Sequence, residues 1–84
     1  MKIKRIKDLR EDHDLTQTAV GDGIGISQRL YSYYERGERS VPPEILIALA
    51  DYYKTSVDYI LGRTDNPKVI KEFFKTEKAV PDKQ

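Results

Sequence analysis

The sequence contains no cysteine. That single absence excludes disulfides, thiolate zinc sites and a cysteine nucleophile together, and it fits a reducing cytosol. Long apolar runs are missing as well. The longest, Ile45 to Ala50, falls far short of the ~20 residues needed to cross a bilayer. No apolar stretch follows the basic residues at the start, so no secretory signal is read there. A soluble, cytoplasmic protein without membrane contact is the resulting expectation. Charge of one sign is also lacking: 15 lysines and arginines stand against 14 aspartates and glutamates, a formal net charge of +1. Nucleic-acid binders are often strongly basic, but phosphate contacts depend on local charge and not on the total. Lys2, Lys4, Arg5, Lys7 and Arg10 crowd the start, and Arg29, Arg36 and Arg39 form a second cluster, both interleaved with acids. The one histidine, His13, has no partner at ligand spacing, so no metal and no cofactor is expected. No serine, lysine or carboxylate pair stands in a catalytic pattern, which argues against an enzyme.

What the 84 residues do contain is a succession of helix signals. A chain of this length builds one small core, and nothing in it reads as a strand. Ile3, Ile6 and Leu9 recur at helical spacing among charges, predicting a first helix over about 3–12. Thr16 is a suitable N-cap for a second helix, Gln17 to about Gly23, with Ala19, Val20 and Ile24 turned inward and Gly25 as its stop. Ser27 caps a third, Gln28–Arg36, ended by Gly37. Its Tyr31 and Tyr34 point toward a core, whereas Gln28, Arg29, Ser32 and Tyr33 point largely the other way. Pro42 and Pro43 suit the first turn of a fourth helix, which runs to about Tyr53 with Leu46, Leu49, Ala50 and Tyr53 inward. Ser56 caps a short fifth helix that brings Val57, Ile60 and Leu61 to the core and stops at Gly62. The expected fold is an all-α, compact five-helix domain.

The stretch Leu15 to Arg39 carries the functional signal. Two short helices joined by a glycine turn lie at a steep angle, and the second can enter the DNA major groove. At that groove, about 12 Å wide, base edges are distinguished by their donor and acceptor pattern. Arg10, Leu15-Thr16-Gln17, Gly25-Ile26-Ser27, Tyr31, Tyr34-Glu35-Arg36-Gly37, Leu49-Ala50-Asp51-Tyr52-Tyr53 and Asp58-Tyr59-Ile60-Leu61-Gly62-Arg63 together resemble the lambda repressor and Cro type of helix-turn-helix domain, the XRE family. The resemblance spans Ile3 to about Asp65, and several independent segments match in order.

That resemblance implies a fold and roles. It implies a lambda-repressor-like DNA-binding domain over residues 1–65 and a C-terminal helical tail over 66–84. Gln28, Arg29, Ser32 and Tyr33 fall at base-facing positions; Gln suits adenine and Arg suits guanine, both bidentately. Tyr33 stacks on a thymine methyl or reaches a phosphate. Gln17, Ser27, Arg36 and Arg39 are implied phosphate contacts, which position without specifying, and Gln17 also braces Gln28. Arg10 and Glu35 are implied as an ion pair tying helix three to helix one. The bland alternative for Gln28, Arg29 and Ser32 is an ordinary solvated helix face.

The chain departs from the family pattern at Gly21 and Gly23, each costing a helix interior about 1 kcal/mol relative to alanine. Gly21 lets helix three approach closely; Gly23 has no rationale in the sequence. Leu30 either packs beside Gly23 or meets a thymine methyl. Beyond the turn-rich 63–67 break, Val69, Ile70, Phe73 and Phe74 recur at helical spacing, and either pack back onto the domain or form a dimer interface. The expected partner is double-stranded DNA carrying a palindromic operator, bound by a homodimer with half-sites about one turn apart. The expected function is a transcriptional regulator, a repressor. An antitoxin with a protein partner, or an interaction module on the same fold, are the alternatives.

Overall fold

The computed structural model describes residues 2–68. The tail residues Val69, Ile70, Phe73 and Phe74 lie outside them. Along the described residues run α1 (Lys4–Asp12), α2 (Gln17–Ile24), α3 (Gln28–Arg36), α4 (Pro43–Tyr53) and α5 (Val57–Leu61), with no strand among them.

Local chemistry sets most of these boundaries. The hydroxyls of Thr16, Ser27 and Ser56 each accept from the backbone N–H three residues on, at 3.0, 3.1 and 3.0 Å, satisfying one of the orphan donors at a helix start. Pro43 opens α4, where its missing N–H costs nothing. The helix-turn-helix corner closes at Gly25, whose φ of 83° lies in the left-handed region that L side chains avoid. The Ile26 N–H reaches back to the Gly21 carbonyl at 2.9 Å, completing a Schellman-type end.

Ile6, Leu9, Val20, Tyr31, Leu49, Ala50 and Ile60 form the buried core, with Tyr34 buried beside them. Ile3, Ile24, Leu46, Tyr53 and Val57 pack against it from partly buried positions. Leu61 corrects one expectation: it is 37% exposed. Successive helical residues point about 100° apart, so Ile60 and Leu61 cannot both face the same core; Ile60 takes that place.

The two departures in α2 acquire reasons. A Cβ on Gly23 would overlap Cε1 of Tyr52 and lie 2.9 Å from its Cδ1. The missing side chain therefore lets α4 lay an aromatic ring against α2. A Cβ on Gly21 would sit 3.0 Å from the Ile26 carbonyl oxygen, so what approaches closely there is the turn leading into α3. At the far end, Arg5 ties α1 to the close of α5: Nη1 donates to the Tyr59 and Thr64 carbonyls at 2.9 and 3.0 Å, and the guanidinium lies 4.2 Å from the Tyr59 ring centroid. Thr55 also donates to the Pro67 carbonyl.

Candidate nucleic-acid interface

One face of α3 is buried and holds an ion pair. Arg10 of α1 donates from Nε to Glu35 Oε2 at 2.7 Å and from Nη2 to Oε1 at 3.0 Å. Its remaining Nη1 donates to the Leu15 carbonyl at 2.9 Å. Glu35 is 3% exposed and accepts two further bonds, from the Tyr31 hydroxyl at 2.8 Å and from Gln17 Nε2 at 3.1 Å. A carboxylate this deep is tolerated because every oxygen is occupied. Burial pushes its pKa upward, but the hydrogen bonds from Arg10, Tyr31 and Gln17 outweigh burial and leave it below the ordinary value. The bond to Glu35 holds the Arg10 guanidinium above its usual range, and burial pushes the Tyr31 hydroxyl up. The nearby Tyr53 hydroxyl has no hydrogen-bond partner among the described residues, and burial raises it to about 12.

From this buried centre a chain of hydrogen bonds leads to the surface. Glu35 only accepts, so Gln17 must turn its amide nitrogen inward and its oxygen outward. That oxygen accepts from Gln28 Nε2 at 2.7 Å. Gln28 is thereby left with its own carbonyl oxygen and one amide hydrogen unspent. An acceptor and a donor side by side match the N6 and N7 edge of adenine. The buried pair thus sets which way an exposed amide points.

The rest of the outward face is cationic and aromatic. Arg29 is exposed and donates from Nε to the Tyr33 hydroxyl at 3.0 Å. The half-buried Tyr33 ring has three guanidiniums around it, those of Arg29, Arg36 and Arg39, at 5.9, 5.6 and 5.1 Å from its centroid, within the reach of cation–π attraction. Arg39 is exposed; Ser27 is exposed and gives its hydroxyl to the helix cap.

Ser32 differs from its neighbours. It is 5% exposed, and Arg36, one turn on, donates from Nη1 to its hydroxyl at 2.6 Å. Arg36 in turn grips Glu38 with Nε and Nη2, both at 3.0 Å. That contact holds Glu38 below and Arg36 above their ordinary values. Gln17, Gln28, Arg29 and Tyr33 are therefore brought together at the start and middle of the face, with Arg36 and Arg39 at its exit. Glu38 and Arg5 were not picked out by sequence reasoning. The signal for Glu38 was a carboxylate just past the Gly37 stop, next to an arginine in the last turn of α3.

A helix-turn-helix corner presenting an outward helix of amides, guanidiniums and an aromatic ring defines the DNA-reading class of this fold. The chain matches the helix-turn-helix family over residues 6–60, and it belongs to that family, the lambda repressor and Cro type read from the sequence. It is 40% identical to YobD of Bacillus subtilis (strain 168), an uncharacterized HTH-type transcriptional regulator, over 88% of this chain and 71% of YobD. With the antitoxin PezA of Streptococcus pneumoniae serotype 4 it shares 39% identity over 70% of this chain and 37% of PezA. Among solved structures it resembles the P22 c2 repressor bound to a synthetic operator, with a TM-score of 0.66, 32% identity, and 73% of this chain and 94% of that one covered.

Proposed function

We propose that the chain is a sequence-specific, double-stranded-DNA-binding transcriptional regulator, a repressor and not an enzyme, which reads the major groove with helix 28–36. The observation that carries this is Gln28: an exposed amide held in one orientation by Gln17 and, through it, by Glu35. A solvated surface glutamine has no need of such support, whereas a base-reading one gains specificity from it. Gln28, Arg29 and Tyr33 read bases, with Ser32 joining them when Arg36 moves off its hydroxyl. Gln17, Ser27, Arg36 and Arg39 contact phosphates. The similarity to a repressor crystallised on its operator supports the same reading.

Residues 1–65 form the DNA-binding unit in this reading, a division supported by Arg5, which ties the 63–65 turn to α1. Residues 66–84 form a tail whose Val69, Ile70, Phe73 and Phe74 either pack on that unit or pair two copies. Cytoplasmic action and homodimeric binding of a palindrome complete the proposal. The test is selection of sites from a randomised duplex pool with the wild type and with Gln28→Ala and Arg29→Ala. Enrichment of a palindrome, degraded at distinct bases by each substitution, is the expected result. Weak, salt-sensitive binding without enrichment overturns base reading. The likeness to PezA favours a second reading, an antitoxin that also covers a protein partner; co-expression with a neighbouring toxin gene and co-purification would distinguish it.

A further inference from the structure

Arg36 has all three guanidinium nitrogens committed, two to Glu38 and one to Ser32. Arg29 and Arg39 have no ion pair among the described residues. Gly37 turns the chain in the left-handed conformation at φ 77°, and the Glu38 N–H donates to the Tyr33 carbonyl at 2.9 Å. This closing bond of the helix end sets the backbone position from which the Glu38 side chain reaches Arg36. The two carboxylate oxygens meet the guanidinium fork as two phosphate oxygens would.

Resting on the DNA-binding reading above, we propose that Glu38 is a specificity-determining residue: it holds Arg36 as an internal surrogate for phosphate and yields it only where correct docking delivers a real one. The Nε–Nη2 fork of Arg36 cannot take a phosphate bidentately without leaving Glu38, and in moving it also releases the Ser32 hydroxyl from its bond to Nη1. Bidentate phosphate capture at the exit of α3 and release of the Ser32 hydroxyl are therefore linked. On a wrong sequence, where α3 sits imperfectly, Arg36 stays with Glu38 and contributes nothing to affinity. The residue thus acts by suppressing non-specific binding.

The test uses the full 84-residue chain and fluorescence anisotropy on a random-sequence duplex and on the selected operator, each across a salt series. Glu38→Gln keeps the shape and removes the charge. It should tighten random-duplex binding roughly two- to fivefold, the range of an exposed ion pair, and steepen the salt dependence by about 0.9 in log–log slope, the equivalent of one more phosphate contact. The gain on the operator should be smaller, so the ratio of operator to random affinity falls. In an Arg36→Ala background the same change should have little effect. Its helix end is made by the backbone, so Glu38→Gln should melt like the wild type. Equal affinity and slope in Glu38→Gln and wild type overturn this proposal alone. An undiminished gain in the Arg36→Ala background also overturns it, because Glu38 then acts by simple repulsion of DNA. A wild type that binds neither duplex at low salt overturns the DNA-binding reading, and this inference with it.

Discussion

Two arginines in this molecule each grip a glutamate with two hydrogen bonds, and the two contacts differ mainly in where they are. Arg10 and Glu35 meet at 2.7 and 3.0 Å with side chains 15% and 4% exposed; Arg36 and Glu38 meet at 3.0 Å twice with side chains 51% and 54% exposed. Bond geometry is nearly the same, so geometry does not assign their roles. Surroundings do. Water competes for every bond of the outer pair, which makes it exchangeable. The inner pair has no replacement for either partner, so its loss strands a buried charge. One contact holds α3 to α1; the other lies at the exposed end of the same helix.

Parallel deletions give the largest expected difference. Arg10→Ala should destabilise by about 3–5 kcal/mol, since Glu35 remains buried without its cation. Arg36→Ala should leave the urea midpoint nearly unchanged while weakening DNA binding. Similar midpoints for the two variants would show that burial does not separate the pairs.

Acid sharpens the comparison by a smaller amount. The folded-state pKa of Glu35 lies below its ordinary value, which for a glutamate in an unfolded chain is about 4.3. The folded state therefore binds that proton less readily. The resulting stability is present above about pH 4.3 and is lost as pH falls through the lower, folded value. Melting from pH 7 downward should show a decline below about pH 5 that is flatter in Glu35→Gln. Glu38→Gln should keep the wild-type slope, because Glu38 is depressed only by an exposed partner. If Glu38→Gln flattens the acid limb as much as Glu35→Gln does, the outer pair contributes more to the fold than its exposure implies.

How much of this was legible in the sequence depends on how local the cause is. Thr16, Ser27 and Ser56 mark helix starts by their own hydroxyls, and Gly25 and Gly37 mark stops by their backbone freedom, so five helices could be placed within a residue or so of their bounds. The outward Gln28 and Arg29 followed from helical periodicity. Gly23 could not be understood, because its reason is the ring of Tyr52 on another helix. Periodicity cannot separate Leu61 from Ile60, because a five-residue helix is too short to show which of the two faces inward. The capture of Arg36 by Glu38 was hidden for a related reason. Residues at i and i+2 do not face each other on a helix, and only the left-handed turn at Gly37 brings Glu38 round to Arg36. Arg5 read as one more surface cation until the end of α5 folded against it.

Gln17 links the two regions, and its removal is the finest test of whether the inner pair governs the reading face. In Gln17→Ala, Glu35 keeps Arg10 and Tyr31, so stability should fall by only about 1 kcal/mol, the value of one hydrogen bond. Gln28, however, loses the acceptor that fixes its amide. Its amide is then free to flip, and either orientation can meet a base. Site selection should therefore show a weakened preference at the base that the proposed reading assigns to Gln28, within the roughly 1–3 kcal/mol that a bidentate contact supplies, while the preference assigned to Arg29 persists. Arg29 takes its support from Tyr33 and not from Gln17, which makes it the internal control. Equal weakening at both bases would mean that Gln17 acts through the placement of α3 as a whole. No weakening at either would mean that the chain from Glu35 to Gln28 carries no information to the surface.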